Sequence, residues 1–239
     1  RFDSIAAFLD ANIAREEIAT YQFNGLAPFR TDDPATWSAP RTTRVSLRGS
    51  HELKTYVRDA PMAWTFTYND VNRDEGADSL ALFVTNERGE PVASARADDD
   101  GDVTDHALPS VVRTIRLTTG VLPEGVYKIA LQASRDIVVR SYETTQRKIV
   151  FLNAVFLGDE VGFRAISSPV HIWTDGKRLA FQTRHSSAVQ TVSVGGELVE
   201  VEAPYVRYEK DVKEPVVVEV VSPFGDLEIQ TDGAIAFDT

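Results

Sequence analysis

Apolar residues recur along this chain with two different periods, and the change from one to the other near residue 43 divides it. Ile5, Phe8, Leu9 and Ile13 fall at helical spacing, and Asp3 or Ser4 offers a side-chain oxygen to cap the first turn, which predicts a helix running to about Thr20. Its apolar stripe needs a cover: it packs across a sheet edge, or it continues as a stalk toward a membrane anchor. Residues 24–41 carry Gly25, Pro28, Pro34 and Pro40 with little periodicity and read as a loop. From Thr43 onward the period becomes two, first in Leu53, Thr55 and Val57, then in Met62, Trp64, Phe66 and Tyr68. The same alternation predicts strands over 79–85, 112–118, 126–133 and 137–142, with Tyr127, Ile129, Leu131 and Ala133 forming one face of the third. Residues 148–156 are almost continuously apolar, and periodicity leaves two readings open, a strand buried on both faces or a short helix.

Beyond Gly158 the turn signals strengthen. Asp175-Gly176 separates 170–174 from 177–183, and Gly195-Gly196 separates 189–194 from 197–202; both read as two-residue hairpins, because the tight turns that join adjacent strands need the positive φ that Gly and Asp tolerate. With 215–221, 227–230 and 234–237 the count reaches about seven short strands, the number of an immunoglobulin-like sandwich. The expected fold is mainly β: two β-sandwich domains of jelly-roll or immunoglobulin-like type with one N-terminal α-helix. Residues 1–41 hold the helix and the Pro-containing loop, 42–158 the first sandwich and 159–239 a smaller immunoglobulin-like one. No repeat appears at a fixed sequence period.

Composition narrows the function classes. A chain of 239 residues, 43% of them hydrophobic, can fill two ordinary cores. Its 25 basic against 36 acidic residues give a net charge of -11, which repels polyphosphate and argues against nucleic-acid partners. With no cysteine there is no disulfide, thiolate nucleophile or sulfur-ligated metal. No run approaches the ~20 apolar residues that span a bilayer, so membrane contact is expected only through a segment outside this chain, and the start at Arg1 reads as a processed end.

Within residues 50–133, Gly76-Ala77-Asp78-Ser79-Leu80-Ala81-Leu82-Phe83 opens an apolar strand with an acidic residue. Glu87-Arg88-Gly89 marks a hairpin, and Leu122-Pro123-Glu124-Gly125-Val126-Tyr127 leads through a tight turn into an inward-facing row. In this order the features resemble the bacterial pre-peptidase C-terminal domain, a small β-sandwich of secreted proteins, with residues 97–110 as an insertion. The resemblance implies a sandwich, an extracellular or cell-envelope setting and an accessory, non-catalytic role.

The densest polar cluster is Asn69, Asp70, Asn72, Asp74, Glu75 and Asp78, joined farther on by Asp98, Asp99, Asp100, Asp102 and Asp105. Calcium takes six to eight hard oxygen ligands, so Asp70, Asn72, Asp74 and Asp78 are candidate ligands of a structural calcium ion, the one cofactor the residues point to. They do not form an EF-hand: the glycine, Gly76, comes one place late, and Ala81 stands where the twelfth-position Glu is needed. The alternative is a solvated acidic turn. The four histidines, His51, His106, His171 and His185, show no metal-ligand spacing, and neither a nucleophile elbow nor a phosphate-binding glycine loop is present. Trp173 shares a strand face with His171 while Val170 and Ile172 face the other way, so these two are candidate ligand-binding residues if that face is exposed and core if it is covered. Trp37 is a second candidate platform.

The expected function is therefore a non-catalytic structural or interaction module of a cell-surface, envelope or secreted assembly, with protein partners or self-association through sandwich edges and loops. A carbohydrate-binding module with a structural calcium site is the alternative, and a secreted enzyme acting on glycans or peptides is the third class.

Overall fold

The computed structural model describes residues 34–105, 109–158, 170–184, 190–212, 216–221 and 226–237. The N-terminal helix expected from the sequence lies outside them. Among the described residues sixteen strands form one antiparallel network, and no helix is present. The first half contains β1 (Thr36–Arg48), β2 (His51–Val57), β3 (Ala60–Asp70), β4 (Leu80–Thr85), β5 (Pro91–Ala97), β6 (Arg113–Leu122), β7 (Gly125–Ala133), β8 (Ile137–Gln146) and β9 (Ile149–Leu157). The second half contains β10 (Val170–Thr174), β11 (Arg178–Thr183), β12 (Gln190–Val194), β13 (Glu197–Val201), β14 (Tyr208–Asp211), β15 (Val216–Val221) and β16 (Leu227–Phe237).

Alternation in the sequence becomes burial in the fold. Met62, Trp64, Phe66 and Tyr68 of β3 all point into the core, as do Leu53 and Val57 of β2 and Tyr127, Ile129 and Leu131 of β7. Each such large side chain contributes about 1.5–3 kcal/mol of burial, so an inward row of four stabilises its strand far more than any surface contact. Trp64 stacks on Phe66 with 5.7 Å between ring centroids, and Tyr142 and Phe151 continue the aromatic row as far as Phe237 on β16. Residues 148–156, left open between strand and helix, are the strand β9. It has partners on both edges, β1 and β2 on one and β16 on the other, but it is not buried on both faces: Phe151, Val155 and Leu157 are buried, while Leu152, Ala154 and Phe156 are half-buried and Asn153 is exposed.

Two turns behave differently from one another. Gly195 and Gly196, with φ of 58° and 87°, close the β12–β13 hairpin as expected. Asp175-Gly176 does not close a hairpin, since β10 and β11 do not pair with each other; both lie along the same edge of β16, one after the other. The dipeptide bends a continuing path instead of reversing it. Gly176 is needed there for closeness: a Cβ on it would meet Thr231 Oγ1 at 1.9 Å. Strand β1 also begins earlier than the proline content indicated. Pro40 is accommodated because the β1–β8 register shifts between Thr36 and Arg41, a stretch where a missing N–H removes no ladder bond.

The pairing scheme of the first half recurs in the second. β1 and β2 follow one another along one edge of β9, as β10 and β11 do along β16. β1 also pairs with β8, β8 with β3 and β3 with β6; in the same positions β10 pairs with β15, β15 with β12 and β12 with β13. β2 pairs with β7 as β11 does with β14. The β4–β5 hairpin, attached to β7, has no counterpart among the described residues of the second half. The two last strands of these units, β9 and β16, pair with each other from Leu157↔Leu227 to Phe151↔Ile235, so the strands on either side of Gly158 share one sheet path.

Candidate functional site

The acidic residues gather where β3 ends and β8 begins, since Asp70 is the register partner of Ile137. Local geometry follows from short polar side chains bonding the backbone near them. Asp70 Oδ1 accepts from the Asn72 N–H at 2.9 Å, with Asn72 at φ 46° and Gly76 at φ 127° carrying the turn. Asp136 Oδ2 accepts from the N–H groups of both Arg73 and Asp74 at 2.6 Å. From the far side the loop after β5 folds in: Asp99 Oδ1 accepts from the Asp78 N–H at 2.8 Å, and the Gly76 N–H bonds Val103 O at 3.2 Å.

Two groups of carboxylates result, Asp70 with Asp78 and Asp136, and Asp70 with Asp99 and Asp100, with oxygens within 4.8 Å of one another in each. Asp70 belongs to both and is 1% exposed. Its Oδ2 receives no donor among the described residues. Burial, reinforced by Asp78, Asp100 and Asp136, pushes its carboxyl up to about 6 against the partial relief of the Asn72 bond. Burial also raises Asp78, with Asp136, Asp99 and Asp74 adding to it and a hydroxyl bond from Ser134 opposing. Oxygens so placed repel one another as anions and suit a hard divalent cation.

Of the residues expected from sequence, Asp70 and Asp78 come together, and Asn72 is buried beside them. Asp74 is exposed and its carboxylate stands outside both groups; it contributes its backbone N–H instead. Asp136 was not a candidate, because a single Asp in Ser134-Arg135-Asp136 carries no pattern, and only the β3–β8 pairing brings it near Asp70. Asp136 also leads out of the site. Arg48 Nη2 lies 3.4 Å from its Oδ1, and Arg48 Nη1 reaches Asp226 Oδ1 at 3.0 Å at the foot of β16.

The aromatic candidates fare unequally. Trp173 is half-buried within β10, level with Val217 of β15 and Ala236 of β16, while His171 is exposed with Nε2 3.3 Å from Glu219 Oε1. Trp37 has guanidinium groups over its ring, Arg41 at 3.6 Å and Arg147 at 4.6 Å from the centroid. An unpredicted recess, an open trough of about 1160 Å³, lies along β5, β4, β7, β2 and β9. Small residues such as Ala81 and Ala130 form part of its floor, Phe83 stands 41% exposed in it, and Glu52, Gln132 and Asn153 supply polar groups.

The chain matches no protein-family profile, no curated protein and no solved structure.

Proposed function

We propose that this chain is a non-catalytic structural and interaction module of a cell-surface, envelope or secreted assembly, built as two β-sandwich domains joined edge to edge. The observation that carries this reading is the recurrence of one pairing scheme in both halves, closed by the β9–β16 pairing. Two units that share a sheet path and an aromatic row hold a fixed relation to one another, which suits a spacer or building block. The resemblance of residues 50–133 to the pre-peptidase C-terminal domain supports the extracellular setting and the accessory role. Labelling of intact native cells with a membrane-impermeant reagent, together with crosslinking, tests it. Protection from the reagent in intact cells and a strictly monomeric cytoplasmic protein would sink it.

A second reading, a carbohydrate-binding module with a structural calcium ion, is favoured by the trough and the acidic groups together. Phe83 offers a ring face, and the amides of Gln132 and Asn153 offer donors and acceptors of the kind that bind sugar hydroxyls. Asp70, Asp78 and Asp136, with Asp99 and Asp100, would hold the ion. Saturable binding on a glycan array, lost in Ala130→Arg, supports this reading; no binding to any glycan returns the trough to protein contact.

A further inference from the structure

The first half has two electrically opposite ends. At the start of β8, where Ile137 partners Asp70, stand the carboxylates; at its end, where Gln146 partners Thr36, stand the guanidinium groups of Arg41 and Arg147. The ten residues of β8 hold these ends ~30 Å apart. Arg41 and Arg147 both lie over the Trp37 ring, at 3.6 and 4.6 Å from its centroid. Both guanidinium groups therefore share one indole, an Arg–Trp–Arg stack at this end of the first half.

Neither guanidinium forms an ion pair or a side-chain hydrogen bond among the described residues. Glu143, the register partner of Thr42, accepts from the Thr42 hydroxyl at 3.3 Å and pairs with neither guanidinium among the described residues. An Arg on an indole is ordinary. Two like charges fixed on one ring without a carboxylate are a site prepared for an anion from outside, and the stacking removes part of the side-chain entropy that binding otherwise costs.

The chain itself carries the complementary element. After β5 the loop holds Asp98, Asp100 and Asp105 exposed, and Asp98, with 91% of its side chain exposed, pairs with Arg96 at 3.6 Å. Side-chain oxygens of Asp99, Asp100 and Asp102 accept from backbone or hydroxyl groups two residues on, which gives the loop a defined shape. We propose that the Arg41–Trp37–Arg147 stack of one copy receives the Asp98–Asp105 loop of a second copy, so that the chain associates head to tail. Because donor and acceptor surfaces lie at opposite ends, the contact is heterologous and builds assemblies larger than a dimer, rings where the rotation between copies closes and open chains where it does not. A second copy is thus a partner for the proposed interaction module, and because Trp37, Arg41 and Arg147 lie outside the trough, failure here leaves the trough reading standing.

Net charge opposes association over long range, and the Debye length of ~10 Å at 0.1 M salt screens that repulsion while leaving close ion contacts. Sedimentation velocity of the full chain in EDTA, which removes bridging cations, tests the proposal. At about 0.1 M salt the weight-average mass rises with concentration above 26.4 kDa, and at about 1 M it returns to the monomer. The double variants Arg41→Glu with Arg147→Glu, and Asp98→Lys with Asp105→Lys, are each monomeric alone. Mixed together they associate again, because the native loop of the first variant meets the native stack of the second, and the reversed stack and reversed loop are complementary too. Arg41→Gln with Arg147→Gln, a milder change at the same positions, is also monomeric. Wild type that stays monomeric at every salt concentration, or a mixture that does not associate, overturns the proposal; so does a wild type that is monomeric but retained on a sulfated polysaccharide, which would make the stack a glycan site.

Discussion

Arg48 reaches two carboxylates that the chain order separates widely, donating from Nη1 to Asp226 Oδ1 at 3.0 Å and placing Nη2 3.4 Å from Asp136 Oδ1. Its Nε bonds Arg135 O at 2.7 Å, and all three side chains are largely shielded from water. Removing one partner of a buried network leaves the others charged and uncompensated, which costs about 3–5 kcal/mol. Arg48→Met should therefore lower the unfolding free energy, measured by urea denaturation, by an amount near the lower end of that range, since Asp136 keeps its two backbone donors and Asp226 keeps Arg73 at 3.7 Å. A change below ~0.5 kcal/mol would show that water replaces the guanidinium without loss.

His51 and Asp70 titrate in opposition. His51 is buried, with Nδ1 3.1 Å from Gly49 O and Nε2 accepting from the Phe156 N–H at 3.0 Å, and burial lowers its pKa from 6.5 to about 4. The unfolded chain takes up this proton first, so the contribution is complete above 6.5 and is lost as pH falls through 4; it is on the order of 3 kcal/mol. Asp70, raised from 3.8 to about 6, contributes below 3.8 and loses that contribution as pH rises through 6. Between pH 6.5 and 4, His51→Gln should lose less stability than wild type, and Asp70→Asn should lose more. Parallel midpoint-versus-pH curves for the three proteins would refute both assignments.

Calcium separates the three-dimensional site from the one read in sequence. A cation held by Asp70, Asp78 and Asp136 stabilises the fold by mass action, about 1.4 kcal/mol at a tenfold excess over its Kd. The melting temperature should then rise a few degrees between EDTA and millimolar calcium. Asp136→Asn should abolish the rise, while Asp74→Ala, whose carboxylate lies outside both groups, and Asp211→Ala, at a distant exposed position, should retain it. Loss of the rise in Asp74→Ala with retention in Asp136→Asn would restore the linear reading of the cluster.

What the sequence disclosed and what it withheld divide along a physical line. Period-two rows announce burial, so β2, β3 and β7 were legible residue by residue, and Gly195-Gly196 announced a turn that is closed locally. Asp175-Gly176 carries the same local chemistry, yet its role is decided by β16, which receives both flanking strands on one edge. The recurrence of the pairing scheme was invisible because it lies in hydrogen-bond partners and not in residue types at a fixed period. Asp136 was missed for a related reason: a metal group draws on loops that only the sheet brings together, and Asp74, closer in sequence, points elsewhere.

The bend at Asp175-Gly176 is locked into β16 by a contact between two glycines, and this makes a sharp stability prediction. The β9–β16 register slips between Gln230 and Ala234, and in that gap Asp232 Oδ1 accepts from the N–H groups of Lys177 and Arg178 at 2.8 and 3.0 Å while Asp175 Oδ1 accepts from Ala234 N–H at 2.7 Å. These bonds require the two backbones to touch. A Cβ on Gly233 would stand 2.4 Å from Gly176 N and 2.6 Å from Gly176 Cα, both backbone atoms that no rotamer can move aside. Gly233→Ala must push the bend outward, straining or breaking the bonds at Asp232 and Asp175, and should cost about 3 kcal/mol, the upper part of the overpacking range. Gly120→Ala, where an added Cβ meets nothing within 4 Å, should change stability by less than ~0.5 kcal/mol. Chemical denaturation of both variants beside the wild type checks the pair, and equal midpoints for Gly233→Ala and Gly120→Ala would mean that the bend does not dock on β16 in solution.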